Sequence, residues 1–399
     1  MPAGDILSGH QPCFYHPGIL AKRCALEELA RRDEVGCSWL VVDQDVNEPG
    51  SIEFPDLDDR GRLTRRLWRA LPSAPGVPTC HRRVTTITPP PRVSKKLPGS
   101  IQDGLDRMHQ ALVEAAGDTV SERVAAANES LLADWFQTPC RLIRASTLLE
   151  TEHARDLLEH IRSEPIECAR LWNEAVRAVP RSARELRVNT RSLEETEVPV
   201  WSIDPNDGTR RPGLLRDLTE ALKGDRVILP RAFLMTAIVR SAGYRVMIHG
   251  TGGGRYEAVT DQWARTFLGL ELAPIMVVSA TVTLPLGACT PDASLLPAPG
   301  ALRRLEHDPW PDTTHKRGLV EAIAKAPPGS VLRRRLYAEL HEARLEQAAA
   351  ISERIQQLKD ATKDLGEAMK SRDLAGDRTW PWPLHEPHRL QESLAAKTE

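Results

Sequence analysis

Residues 6–18, ILSGHQPCFYHPG, decide the predicted fold because they join a short apolar strand to the start of a helix. Pro17 suits the first helical turn, where its missing N–H would have no partner in any case. Apolar residues then recur at helical spacing to about Arg32. The apolar run at residues 38–43 lies between a glycine and acidic residues, which is typical of a buried parallel strand. A strand, a helix and a second strand over this length predict a right-handed crossover within a doubly wound α/β sheet.

The composition of the chain limits what kind of protein it can be. The chain has 399 residues, 41% of them hydrophobic, which suffices for two or three folded units. Its formal net charge of −2 gives no reason to expect nucleic acid or a membrane as a partner. The seven cysteines show no CxxC spacing, no charged-then-apolar leader is visible, and no apolar run reaches the ~18 residues of a membrane-spanning helix. We therefore expect a cytoplasmic protein without a disulfide framework or a zinc site.

The chain divides into five predicted segments. An α/β core begins the chain. A proline-rich connector at residues 71–100 leads into a helical insertion, and the core resumes after this insertion. A long helical arm and a tail that packs back on the body follow the core. The segments are residues 1–95 and 197–300 for the two parts of the core, 96–196 for the insertion, 301–375 for the arm and 376–399 for the tail. Within the core we expect strands at 246–249 and 274–284 and a helix at 256–268, and within the insertion helices throughout 101–180.

The arm contains a heptad pattern. A charged helix is predicted from about Val331, and its apolar positions alternate at steps of three and four residues, which defines a coiled-coil seam. The seam positions are Ala348, Ile351, Ile355, Leu358, Thr362, Leu365 and Met369. Such a stripe must be buried against another helix, either the segment at 101–135 or a second copy of the chain, so a homodimer is one expected assembly.

Gly9, His10, His16, Gly18 and Lys22 form the first candidate site. A glycine-containing turn between a strand and a helix offers N–H donors at the positive end of the helix dipole, which favours a phosphate or carboxylate. The histidines and the lysine add donors or charge that can meet a phosphoryl group in its transition state. The loop has neither the GxGxxG nor the Walker A pattern, so neither a dinucleotide site nor a P-loop is supported. The alternative is a turn in which the histidines only bond to the backbone.

Asp43 and Asp45, with Glu48 beyond them, form the second candidate site. They follow the second predicted strand, and open α/β sheets bind ligands at the carboxyl ends of their strands. If the strand continues, the two aspartates share a face, where they could hold Mg²⁺ or accept a hydrogen bond from an amine or a ribose. The alternative is an acidic solvated loop.

The third candidate site is the segment HGTGGGRY at residues 249–256, with Asp261 beyond it. Its four glycines allow a ligand to approach the backbone closely, and His249 and Arg255 can complement an anion. The alternative is a tight strand-to-helix turn with packing glycines. Because both glycine loops follow strands of one predicted sheet, we expect them to face each other across a crevice.

Together these motifs resemble the BshC family, the cysteine-adding enzymes of bacillithiol synthesis. Residues 9–22 and 43–45 are similar to that family's N-terminal motif of the form T-G-Q-Q-x-G, a G-P-L-Y segment, a helix with a Lys, and an E-D-H-D-like strand end. Residues 228–283 are similar to its L-P-T … G-G-P-x-E-x-x-Y stretch. A bacterial branch that carries GHQP…HPG and I-H-G-x-G-G motifs resembles this chain more closely. The matched parts are residues 6–48 and 226–286.

The resemblance implies a Rossmann-like core akin to class I nucleotidyltransferases, completed by a coiled-coil arm that can dimerise. It makes the opening loop the counterpart of the HxGH phosphate-binding signature, with His10 as the best-matched position. It implies a ligase or transferase that binds a nucleotide or other phosphorylated ligand, such as ATP or ADP with Mg²⁺. This enzyme would join an amine-bearing small molecule, cysteine or similar, to an acceptor. The family has Gln where this chain has His10.

This interpretation assigns a role to each part of the candidate site. Backbone N–H groups and histidines of the opening loop would stabilise phosphoryl or oxyanion charge, an aspartate would orient the amine or a metal, and the second glycine loop would close the other wall. The expected catalytic residues are His10, His16, Asp43, Asp45 and His249. The expected ligand-binding residues are Gly9, Gln11, Gly18, Lys22, Arg231, Gly250, Gly252, Gly253, Arg255, Tyr256 and Asp261. The rival hypotheses are a non-catalytic nucleotide- or metabolite-binding protein with an assembly arm, and a structural protein built on the coiled coil.

Overall fold

The structure, a computed structural model, describes residues 4–136, 140–287, 303 and 313–395. The chain forms two compact units. The first comprises Met1–Asp56, Arg65–Leu286 and Asp377–Glu399, and the second Leu57–Thr64 and Gly287–Gly376. In the part of the chain that is described, none of the helices has the length and apolar character needed to cross a membrane.

A five-stranded sheet lies at the centre of the first unit, and all of its paired strands are parallel. Its strands are β1 (Ile6–His10), β2 (Cys37–Val41), β5 (Arg141–Arg144), β9 (Val246–His249) and β10 (Ile275–Val277), in the spatial order β10-β9-β1-β2-β5. The chain adds β2 and β5 on one side of β1 and later β9 and β10 on the other, so the winding direction reverses between β1 and β9. The predicted α/β class with a parallel sheet is confirmed, and the sheet is compatible with a Rossmann-like core.

Helices cover both faces of this sheet. Neighbouring residues of a strand point to opposite faces, so Ile6 belongs to one hydrophobic cluster and Leu7 to the other. The first cluster includes the buried stripe of α1 (Pro17–Asp33), which packs near Trp39. The second includes side chains of α5 (Pro165–Ala178), α7 (Ala232–Arg240) and α8 (Gly253–Trp263). Burial on both faces explains why the central strands are almost continuously apolar.

The first unit contains further helices and strands. Its other helices are α2 (Gly99–Glu114), α3 (Val120–Leu132), α4 (Glu152–Ser163), α6 (Leu215–Lys223) and α12 (Pro387–Ala395). Short 3₁₀ turns occupy Ala145–Glu150, Leu193–Glu195 and Trp382–Leu384, and a π-helical turn at Ala264–Leu268 follows α8. An antiparallel sheet of order β7-β6-β8 is made of β6 (Glu197–Ile203), β7 (Arg210–Leu214) and β8 (Ile228–Pro230). Strands β3 (Ser51–Leu57) and β4 (Leu63–Arg69) pair with each other, and Leu57, Leu63 and Thr64 at their ends are part of the second unit.

Three details differ from the sequence predictions. The stretch predicted as wholly helical contains β5, an edge strand whose four residues RLIR carry no alternating pattern and which is recognisable only by its pairing with β2. Helix α8 begins at Gly253 rather than at 256, with Gly252 preceding its first turn. The strand predicted at 274–284 ends at Val277, since among the described strands β10 pairs with β9 alone, over Ile275–Val277.

The second unit contains the helical arm. Its helices are α9 (Thr314–Lys325), α10 (Val331–Ala350) and α11 (Ser352–Ala375). The charged helix starts at Val331 as predicted, but Ile351, with φ −104° and ψ 5°, separates it into two helices. Along the predicted seam, Thr362 and Met369 are exposed and the other positions are half-buried, so coiled-coil pairing stays a prediction.

Two tryptophans anchor the C-terminal tail within the first unit. Trp380 and Trp382 are both buried. The backbone N–H of Trp382 donates to the carbonyl of Tyr15 at 2.6 Å, and its ring packs edge-on against Trp135. The tail is thereby attached directly to the loop that follows β1.

Candidate active site

A crevice of about 390 Å³ opens at the carboxyl ends of β1 and β9, where the winding direction of the sheet reverses. Open α/β sheets bind ligands at this place. The loops after β1 and after β9 both contribute walls, as the sequence predicts. The predicted site residues that line it are Gly9, His10, Gln11, His16, Gly18, Lys22, Asp45, His249, Gly250, Gly252, Gly253 and Tyr256.

His16 begins α1 and is oriented by it. The backbone N–H of Gly18 donates to Nδ1 of His16 at 3.0 Å, which makes His16 the N-cap of the helix. Burial, followed by the charge of Arg378, lowers the pKa of His16, so the ring is neutral near pH 7. Because Nδ1 accepts, the proton of the neutral ring lies on Nε2. His16 therefore presents a hydrogen-bond donor.

His10 differs from His16 in that its free ring nitrogen is a hydrogen-bond acceptor. Its Nδ1 lies 3.1 Å from the carbonyl oxygen of Gln11, and a carbonyl only accepts, so we infer that Nδ1 carries the proton. Burial, with a smaller effect from Lys22, lowers the pKa of His10 to about 3. The neutral ring then has Nε2 as its acceptor. The two loop histidines thus differ in what they offer a ligand.

Lys22 supplies a buried cation to the crevice. Only 3% of its surface is exposed, and Nζ donates to the carbonyl oxygen of Gly9 at 2.5 Å. Nζ also lies 5.4 Å from the ring centroid of Trp39. Burial lowers the pKa of Lys22 to about 8, so the ammonium form prevails at neutral pH and is sensitive to mild alkali.

The two predicted aspartates lie in different environments. Asp45 lines the crevice, where Nε2 of Gln11 donates to Oδ2 at 2.5 Å and Nη1 of Arg210 donates to Oδ1 at 2.9 Å. Asp43 is outside the crevice, and its carboxylate accepts from the backbone N–H and the hydroxyl of Ser146 at 2.8 and 2.6 Å. Burial raises the pKa of Asp43. Asp43 thus joins the end of β2 to the 3₁₀ turn after β5.

The second wall is built around His249 at the end of β9. A Cβ atom at Gly253 would lie 1.8 Å from Nδ1 of His249, so only glycine lets α8 start against this ring. Nε2 of His249 lies 3.2 Å from Oε1 of Glu257 but is not aligned for a hydrogen bond and has no other such partner among the described residues. Glu257 is buried and accepts from Nη1 of Arg240 at 2.7 Å. A buried ion pair therefore lies directly behind His249.

Three further predicted residues fall outside the crevice or cannot be placed in it. Arg231 packs on Trp201, with its guanidinium 4.5 Å from the ring centroid, and burial lowers the pKa of Arg231 to about 10. Asp261 pairs with Nη2 of Arg240 at 2.7 Å, so it belongs to the ion-pair cluster behind His249. The side chain of Arg255 lies outside the described residues.

Several lining residues were missed by the sequence predictions, among them Gln44, Trp201, Met235 and Arg378. Gln44 is 3% exposed, and its Oε1 has no hydrogen-bond partner in the part of the chain that is described. Its Nε2 lies 3.0 Å from the thioether of Met235, a weak acceptor. Gln44 stands between the two aspartates singled out from the sequence, which was a signal in its favour. Arg378 comes from the tail, far from either glycine loop in sequence, and no local pattern marks it.

The charges of the crevice favour an anion. Among the lining residues, Lys22 and the exposed Arg378 carry positive charge. Nη1 of Arg378 donates to the hydroxyl of Thr281 at 3.3 Å. Asp45 is the carboxylate among the lining residues, and Arg210 neutralises it. The start of α1 and of α8 add helix N-termini to the same space.

Among the described residues, no group of three or more His, Cys, Asp or Glu side chains is arranged to hold a metal ion. In comparisons with known proteins, no family model matches the chain, and no curated protein is significantly similar to it.

Proposed function

We propose that this chain is a BshC-like ligase or transferase. In this proposal it binds a nucleotide or other phosphorylated ligand and joins an amine-bearing small molecule, cysteine or similar, to an acceptor. The Rossmann-like core would be of the class I nucleotidyltransferase kind, and the helical arm would pair as a coiled coil between two copies of the chain.

The observation that carries this proposal is the meeting of two glycine- and histidine-containing loops in one crevice. Gly9–Gly18 and His249–Gly253 are more than two hundred residues apart, yet both line the same cavity at the reversal point of the sheet. A packing explanation for either loop alone does not account for their convergence on a cavity with buried titratable groups, which is where ligand sites concentrate.

The phosphoryl group would be bound at the start of α1. Lys22 supplies positive charge there, the Nε2–H of His16 supplies a directed donor, and the helix dipole favours an anion. Arg378 would reach the same group from the mouth of the crevice. These are fixed donors in a partly buried site, where they stabilise developing charge more than they would in water.

The amine would be placed on the opposite side of this group. His10 offers a neutral acceptor at Nε2, and Gln44 offers the uncommitted Oε1, so both can accept hydrogen bonds from an amine. Asp45 would add negative potential while staying bonded to Gln11 and Arg210. A strongly lowered pKa makes His10 a weak base, so we assign it the role of orienting the amine.

One observation favours the rival, a non-catalytic nucleotide-binding protein. Both candidate carboxylates are engaged, Asp43 by Ser146 and Asp45 by Gln11 and Arg210. A carboxylate in such contacts is a poor general base, and a binding protein would need none. The rival predicts nucleotide binding without a product when second substrates are present.

The test is a thermal-shift panel followed by product analysis. ATP, ADP, CTP, individual amino acids and glucosaminyl-malate are added separately and then in pairs to the full chain, with and without Mg²⁺. The proposal expects a nucleotide-dependent rise in Tm that Lys22→Met reduces and a coupled product whose formation His10→Ala slows, whereas His341→Ala, at an exposed histidine of α10, changes neither. A coupled product supports the ligase, and binding without product supports the rival. If His10→Ala leaves binding and turnover intact, the role of the opening loop is wrong.

A further inference from the structure

A second groove, of about 730 Å³, lies in the first unit between the start of α2 and the start of α12. None of its lining residues also lines the crevice described above. We propose that this groove is a separate site for an oxyanion, a carboxylate or phosphate group of a small molecule, held between the N-terminus of α2 and the imidazole of His385. This proposal does not rest on the proposed function.

The start of α2 offers backbone donors that no side chain occupies. The helix runs for 16 residues, its N-cap is Pro98, and no side chain makes a capping hydrogen bond. Its first turn contains no acidic residue. Gly99 and Ser100, the first two residues of the helix, line the groove. The positive end of the helix dipole therefore lies at this groove, an arrangement that favours an anion.

His385 is the second and independent feature. It is 5% exposed, lines the same groove, and its Nε2 has no hydrogen-bond partner in the described part of the chain. A buried polar atom without a partner is costly, and proteins keep such atoms chiefly where water or a ligand completes them. Burial lowers the pKa of His385 to about 4, so the ring is neutral near pH 7 and carries one N–H donor.

The two features are held at a fixed separation. Helix α2 packs against the 3₁₀ turn Trp382–Leu384 so closely that a Cβ at Gly104 would lie 2.2 Å from the carbonyl oxygen of Pro383. Nη2 of Arg107 donates to the same oxygen at 2.6 Å. Because His385 directly follows this turn, its backbone is fixed relative to α2 before any ligand binds. Such pre-organisation lowers the entropic cost of binding.

The charged side chains of the groove balance one another. Arg107 and Arg389 are opposed by Asp103 and Glu386, and Glu386 pairs with Nε of Arg389 at 2.9 Å. Net charge therefore does not select an anion here. Selection comes from the helix start, the imidazole and the remaining donors of Arg107, which favours a compact oxyanion over a polyanion.

The experiment uses the full chain with ¹⁵N-labelled histidine and follows each imidazole by NMR during titration with inorganic phosphate and, separately, with malonate. The His385→Leu variant identifies the resonance of His385. We expect a saturable shift of the His385 nitrogen resonances with at least one probe. If malonate alone produces it, the ligand is a carboxylate, and if phosphate alone does, it is a phosphorylated compound.

Two variants separate the groove from the crevice. Gly99→Pro removes one helix N–H where a Cβ meets no atom within 4 Å and where proline is tolerated at a first helical position. It should raise the anion concentration that half-saturates the His385 shift at least severalfold. The response of the His10 resonances should stay unchanged. His388→Leu, at an exposed position of α12 outside the groove, should change neither.

His385→Leu gives a second readout. Replacing an unpartnered buried imidazole by an apolar side chain should keep or raise the Tm of the ligand-free chain. The variant should also lose the part of the anion-dependent rise in Tm that Gly99→Pro removes. The absence of any saturable His385 shift, or an equal shift in Gly99→Pro, would overturn the proposal.

Discussion

Gly253 touches His249 so closely that a Cβ atom at position 253 would lie 1.8 Å from Nδ1 of the imidazole. Because Gly253 is the first residue of α8 and His249 the last of β9, this contact sets where the helix starts relative to the sheet. The glycine thus determines the position of the histidine in the wall of the crevice.

Gly253→Ala should displace the ring of His249 and weaken nucleotide binding about tenfold or more, together with a loss of about 1–3 kcal/mol in the free energy of unfolding from overpacking. ADP affinity by calorimetry and urea unfolding are the measurements. Gly366→Ala is the matched control, since it adds a Cβ to a helical glycine with no atom within 4 Å. Unchanged ADP affinity in Gly253→Ala would show that His249 does not contact the ligand.

Nucleotide affinity should fall as pH rises above about 8, where Lys22 loses its proton. The free energy of unfolding should change in the opposite direction and rise with pH. The folded pKa of Lys22, about 8, is below its usual 10.5, so the unfolded chain binds more protons between these values and the free energy of unfolding rises with pH in that window. ADP titrations from pH 7 to 10 check the first effect. Lys22→Met should bind weakly with a flat profile; a wild-type slope in that variant would assign the titration to another group.

Acid should destabilise the chain partly through His10. Its folded pKa of about 3 is below the usual 6.5, so the unfolded chain takes up the proton first and stability is lost as pH falls through this window. His10→Gln should therefore lose less stability than the wild type between pH 7 and 4.5, by about 2 kcal/mol, as measured by urea unfolding. His385, whose pKa of about 4 is also lowered, contributes equally to both proteins. Parallel pH profiles would mean that the pKa of His10 is not lowered in the folded chain.

Arg378→Gln should reduce the affinity for ADP about tenfold and leave that for adenosine unchanged, because the guanidinium is assigned to a charged hydrogen bond with phosphate. Calorimetry with both ligands checks the difference. Arg92→Gln is the control, since that arginine is also highly exposed and does not line the crevice. An equal loss for both ligands would point to a general disturbance of the tail.

The central part of the fold was predictable because its signals are local. The apolar run of β2, Pro17 at the start of α1 and the glycines around Gly253 each report on their own segment, and these segments pair as expected in β1, β2 and β9. β5 was not predictable, since the four residues RLIR become a strand only through pairing with β2.

The candidate site was predictable only where a residue belongs to a glycine loop. Asp43 and Asp45 were expected on one face of a continuing strand, but β2 ends at Val41, so the alternation stops and the two carboxylates diverge. Trp201 and Arg378 reach the crevice from β6 and from the tail, through packing that no local pattern encodes.

A crystal structure of the full chain with ADP would locate the nucleotide directly. We expect the phosphates between the loops Gly9–Gly18 and His249–Gly253, within hydrogen-bond distance of Lys22 and of Nε2 of His16. ADP bound elsewhere, with the crevice unchanged and no contact to either loop, would contradict this expectation.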